Sequence, residues 1–278
     1  MAVGNRSSAA RRCDASIADT SSAHGSASRI FQESSNLDEN YDNDIMFIKC
    51  LRQGCSMNTQ ASRPDAPNAH AEHFAAWLLQ GRDELRKGER TRTDLLVAGA
   101  RLLSAETLDS LTVAGVCKAA GVAHGTFYIY FANRNVFAAE VLELFVDYVQ
   151  LEMRSAARLP GSASRNTTAA YMRIFEENTG LMKCLVVGVD AFPEARSAFR
   201  RLNHEWTTTV TRAWLRNNAQ SPRSEAELMR RAYALGGMVD QYLTALFVTG
   251  DPWVRALSQD REEVLEMFTD LWKRGMQT

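Results

Sequence analysis

Leu95, Leu96, Gly99, Leu102 and Leu103 recur at i, i+1, i+4, i+7 and i+8, which draws one apolar stripe along a helix running from about residue 88 to 105. A polar break follows at Leu108-Asp109-Ser110-Leu111. Thr112 can then cap a second helix whose Val113, Val116 and Ala120 share a side and which Gly121 ends. A third helix begins near Ala123. At about 100° per residue, Phe127 and Phe131 lie on one face while His124, Gly125, Thr126, Tyr128 and Ile129 span the other. The first face is built to pack and the second to meet a groove, so the three helices predict a helix-turn-helix unit that reads DNA.

Upstream, Phe74, Trp77, Leu78 and Leu85 have helical spacing and predict a lead-in helix, from which Arg82 and Arg86 could reach phosphates. Downstream, Val136, Phe137, Val141, Leu144, Phe145, Tyr148 and Val149 trace a long amphipathic helix from a cap at Asn133 to about Ala157. Further helices are predicted near 165–179, 180–189, 194–218, 224–249 and 260–274, with breaks at Gly180, Pro193, Pro222 and Asp251-Pro252. Strand alternation and repeats are missing. The expected fold is all-α: an N-terminal three-helix DNA-binding domain at 71–135 and an all-helical effector-binding and dimerisation domain at 136–278. Residues 1–70 are rich in Ser, Ala, Asn and Asp, with one short apolar patch at Ile45-Met46-Phe47-Ile48, and are expected to be a disordered extension.

The run Ala120-Gly121-Val122, Ala123-His124, Gly125-Thr126-Phe127-Tyr128-Ile129-Tyr130-Phe131, followed by Arg134, resembles the TetR family of bacterial transcriptional regulators over roughly residues 88–150. The resemblance implies roles for individual residues. Tyr128 and Tyr130 would hydrogen-bond phosphates, His124 and Thr126 would sit at base edges, and Gly125 would allow close approach. Arg134 would pair with the DNA backbone, and Thr112 would complete the DNA-contacting set. Phosphate contacts would fix register, and groove contacts would carry the sequence information.

Three positions depart from the family pattern. Ala123 stands where a capping Ser is common, which costs about 1 kcal/mol if nothing replaces the cap. His124 stands where Lys or Arg is frequent, so operator affinity is expected to weaken as the imidazole loses its proton with rising pH. Gly115 and Cys117 occupy a second helix that usually carries polar or aliphatic residues.

A net charge of -1 excludes a uniformly basic coat, yet Arg82, Arg86, Lys87, Arg90, Arg92 and Arg101 cluster around the first helix. Five cysteines lack paired metal spacing, and Cys50 and Cys55 with His70 and His73 are too irregular to predict a zinc site. The chain shows no apolar run long enough for a bilayer and no secretion-signal core, so a reducing cytoplasm and no membrane partner are expected. It also lacks a nucleophile–base motif and a phosphate-binding glycine loop, which argues against an enzyme or a cofactor.

In a family whose second domain encloses an effector cavity, Tyr171, Phe175, Met182, Phe192, Phe199 and Trp206 predict a small apolar ligand, with Asp190, Asn203, His204 or Glu205 as polar anchors. By the same resemblance, the last two helices, with Gly236-Gly237 and Val264, Leu265, Phe268, Leu271 and Trp272, form a homodimer interface. The function expected is a ligand-responsive regulator, a repressor released from a palindromic double-stranded operator by its effector. Two alternatives stand beside it. One is a helical small-molecule-binding protein or enzyme without DNA binding, and the other a redox sensor acting through Cys117 or Cys184.

Overall fold

The computed structural model describes residues 71–105, 107–188, 193–220 and 222–277. The expected disordered extension, the irregular Cys50/Cys55/His70 group, Asp190 and Phe192 lie outside them. Eleven α-helices occur among the described residues. They are α1 (Ala71–Leu78), α2 (Lys87–Ala105), α3 (Val113–Ala120), α4 (His124–Tyr130), α5 (Arg134–Ala156) and α6 (Ala163–Glu177), then α7 (Thr179–Val186), α8 (Pro193–Asn217), α9 (Glu225–Leu243), α10 (Pro252–Leu257) and α11 (Arg261–Gln277). A turn of 3-10 helix at Arg82–Glu84 joins α1 to α2, and a π-helical turn at Thr244–Thr249 follows α9.

Local chemistry sets most of the boundaries. Asn133 accepts from the Val136 amide, Ser162 from Arg165 and Ser224 from Glu227, each satisfying an amide that the helix leaves without a partner. Two boundaries differ in part from the sequence expectation. The break expected at Asp251-Pro252 is present after Thr249, but the pair also opens a short helix: proline has no amide to lose at a first helical position, and Asp251 caps the amides of Trp253 and Val254. Likewise Gly180 lies inside α7, and the chain turns at Asn178, whose buried side-chain amide donates to the Ile174 carbonyl at 3.0 Å.

Helix α5 is the spine. Its N-terminal half carries Phe137 and Val141 against α2, and its C-terminal half carries Phe145, Val149 and Met153 among α1, α6 and α8. Phe74 of α1 meets Phe145 edge-on at 5.1 Å between centroids. One guanidinium fastens α8 to this spine, since Arg201 donates to Asp147 at 2.8 Å, to Glu143 at 2.5 Å and to the Glu143 carbonyl at 2.8 Å. Buried apolar residues run without interruption from Phe74, Leu95 and Phe127 to Leu243 and Phe268, so the helix-turn-helix end and the C-terminal helices share one core. Both described cysteines, Cys117 and Cys184, are buried in it.

Candidate nucleic-acid interface and internal cavity

Helix α3 starts at Thr112, whose hydroxyl accepts from the Gly115 amide at 3.0 Å, and stops at Gly121, whose φ of 68° is accessible to glycine without strain. The Gly121 amide reaches the Lys118 carbonyl at 3.3 Å and the Val122 amide reaches Cys117 at 3.0 Å. This paired closure turns the chain sharply into α4. Ala123 provides no side-chain cap, as its chemistry dictates.

Phe127 and Phe131 anchor α4 from beneath. Their rings pack on Phe137 at centroid distances of 5.3 and 4.8 Å, both edge-to-face, and Arg92 lies over Phe131 while pairing with Glu140 of α5. With that face fixed, the opposite face stands in solvent: His124 and Gly125 are exposed, Tyr128 is 53% exposed and Ile129 75%. The His124 and Tyr128 rings lie 5.5 Å apart, one turn from each other along this open side. Thr126 is half-buried. Tyr130 leans away toward the start of α2, where its hydroxyl lies 3.5 Å from the position a Cβ would take on Gly88, beside the exposed Arg86 and Lys87.

Two basic residues sit differently from the expectation of direct backbone pairing. Arg134 donates to the carbonyls of Asp109 at 3.1 Å and Leu111 at 3.2 Å, so its guanidinium braces the loop that carries the Thr112 cap. Arg82 forks onto both oxygens of Asp94 at 2.6 and 2.7 Å, which ties the lead-in turn to α2 and occupies that cation with a carboxylate of its own chain. Lys118 is exposed on α3. It carries no periodic or motif signal, and sequence reasoning passed over it.

A cavity of about 430 Å³ opens in the C-terminal body between α5, α6, α8, α9 and α11. Of the residues expected to line it, Tyr171 and Trp206 do, and so does the anchor Asn203. Phe175 and Met182 are wholly buried in the core, and Phe199 packs on that core from its edge. His204 pairs with the Tyr233 hydroxyl at 3.0 Å, and Glu205 lies 3.5 Å from Arg201. Trp214, another large apolar residue of the same stretch, also lines it, while Trp272, expected at the dimer interface, and above all Asp240 are cavity-wall residues that the sequence pattern does not mark.

Asp240 is 7% exposed and accepts a hydrogen bond from the Tyr171 hydroxyl at 2.6 Å. Burial pushes its carboxyl up from 3.8 to about 6, with the tyrosine pulling weakly the other way, and Tyr171 is itself raised well above its ordinary value, first by burial. The consequence for stability has a definite sign. The folded chain holds the Asp240 proton up to about pH 6 and the unfolded chain only to about 3.8, so the native state loses stability as pH climbs between those values. Asp240→Asn removes this penalty. Its gain in urea-unfolding stability over the parent is expected to be slight near pH 4 and to reach its plateau by pH 7; an equal difference at both ends would disprove the assignment.

The two described cysteines, Cys117 and Cys184, offer no reactive thiolate. Burial raises both, Cys184 to about 11, and a protonated thiol is a poor nucleophile, which removes support from the redox alternative. No helix among the described residues is long and apolar enough to cross a membrane.

Residues 95–141, spanning most of α2 through the first part of α5, match the family model of bacterial regulatory proteins of the tetR family. The HTH-type transcriptional regulator EthR of Mycobacterium tuberculosis is 24% identical over 209 residues, an overlap covering 71% of this chain and 92% of that protein. EthR of Mycobacterium bovis matches with the same identity and coverage, 24% over 209 residues.

Proposed function

The chain belongs to the TetR family of bacterial regulatory proteins and is a DNA-binding transcriptional regulator, and on that premise we propose that it is a repressor which grips a palindromic operator as a homodimer and lets go when a small, largely apolar effector fills the cavity. The observation carrying this reading is the division of α4 into a core-anchored face at Phe127 and a solvent face at His124, Gly125 and Tyr128. A seven-residue helix held so firmly from beneath presents a rigid edge to a major groove.

Gly125 supports the same reading by elimination. A methyl group there would meet no atom of the protein within 4 Å, so the fold itself has no need of glycine at this position. Gly125→Ala is expected to keep or raise thermal stability, by up to about 1 kcal/mol, while weakening DNA binding in an anisotropy titration. Unweakened binding would remove close approach as the reason for the glycine.

The second copy has a place to sit. On α9, Gly237 has open space where a Cβ atom would stand and Tyr233 is exposed one turn earlier; on α11, Met267 and Leu271 are exposed one turn apart. A two-fold pairing across these helices would present two α4 edges about 34 Å apart, one turn of DNA. Coupling would run along α5, because Met153 near its end lines the cavity while Arg134 at its start braces the α3 cap. A ligand that favours a displaced α5 would favour the released state to the extent of its differential affinity.

Selection of bound sequences from a random duplex pool, at stated salt, tests the whole reading. A palindrome with half-sites one turn apart is the expected result, and recovery of no motif would overturn it.

A further inference from the structure

The cavity wall is apolar apart from a few neutral groups and two charged residues. Lys273 of α11 is solvent-exposed, whereas Asp240 is buried. Among the described residues, only one Asp240 oxygen is engaged. Tyr171 donates to Oδ1, and no cation pairs with the carboxylate among the described residues. A tyrosine hydroxyl satisfies one lone pair but leaves the charge uncompensated, an expensive state in an apolar surrounding. The nearby wall contributes Thr167 and Thr168 from α6 and Asn203 from α8, all neutral. Trp206, Trp214 and Trp272, three of the chain's five tryptophans, supply aromatic surface around the same space. Indole faces attract cations through their negative quadrupole, most strongly where water is excluded.

We propose that the cavity accepts an elongated apolar molecule with a cationic nitrogen, its positive end against Asp240 and its hydrocarbon between the tryptophans of α8 and α11. An uncharged alcohol could hydrogen-bond the free oxygen but would leave the buried negative charge without an opposite. A cation supplies that opposite charge, and one that carries an N–H supplies the hydrogen bond as well. The volume falls within the range of about 300–1,000 Å³ usual for small-molecule sites. Binding of such a ligand stands by itself, and only its regulatory consequence rests on reading the cavity as the effector site.

The test compares decyltrimethylammonium with 1-decanol by titration calorimetry, using the full chain and its Asp240→Asn variant at pH 7.5. Asparagine retains an acceptor for the Tyr171 hydroxyl, and unchanged decanol affinity verifies that the variant cavity is intact. The parent is expected to prefer the ammonium at least tenfold and the variant to show no preference. Since the quaternary nitrogen is charged at every pH, its affinity for the parent is also expected to tighten from pH 5 to pH 7.5 as Asp240 ionises, and to stay flat in the variant. Equal affinity for the two probes, a preference that survives Asp240→Asn, or binding of neither probe overturns the proposal. If the ammonium binds selectively but leaves DNA affinity untouched, the cation site stands and the effector reading falls; release by decanol alone has the opposite meaning.

Discussion

Gly180→Ala is expected to lower stability by about 3 kcal/mol, at the upper end of what overpacking usually costs. An added methyl would lie 2.2 Å from the Ser104 carbonyl oxygen, 2.6 Å from its carbon and 2.7 Å from the Leu103 oxygen. These are main-chain atoms at the end of α2, and no rotamer change can clear them. Helix α7 must retreat or the end of α2 must bend. For a folded unit of this size the loss corresponds to a fall of roughly 6–12 °C in melting temperature, measurable by circular dichroism. Because α2 also supports the DNA-reading helices, operator affinity is expected to fall with it. An unchanged melting temperature would mean that α7 and α2 do not meet backbone to backbone.

Tyr128→Phe is expected to do the reverse: full stability with crippled DNA binding. The side chain is half in solvent, and only its hydroxyl is removed, so nothing in the core changes. A hydrogen bond to a charged phosphate contributes about 1.5–3 kcal/mol, which is tenfold or more in affinity for each protomer. The loss should be nearly uniform across operator variants, because a phosphate contact carries no sequence information. Competition titrations against matched and mismatched duplexes would measure it. Parent-like affinity would exclude Tyr128 from the interface, and a loss confined to particular bases would reassign it to the groove.

The DNA-reading end was legible because its determinants are local. Thr112 and Gly121 act on neighbours within about one turn, and helical period alone separates the buried Phe127/Phe131 face of α4 from the free one. Arg134 was harder, since its partners Asp109 and Leu111 precede it by more than twenty positions, 25 and 23. Two boundaries were only partly legible. Glycine and proline both read as punctuation, but Gly180 is small because another backbone crosses it, and Pro252 starts a helix because Asp251 caps it.

The cavity was the least legible part. The large apolar positions of α6 and α7 show the right period for either a core or a pocket, and Phe175 and Met182 belong to the core. What makes the pocket is the meeting of Tyr171, Trp214, Asp240 and Trp272 from four helices, a juxtaposition that tertiary packing creates and no local pattern encodes.

The uninterrupted core joining α2 and α4 to α9 and α11 has a bearing on how such a switch can be tuned. Grip on a promoter and tolerance of an intruding molecule draw on one shared reserve of folding energy. Any drift toward a roomier pocket is therefore felt in the hand that holds the gene, and any tightening of that hand narrows what the pocket can admit.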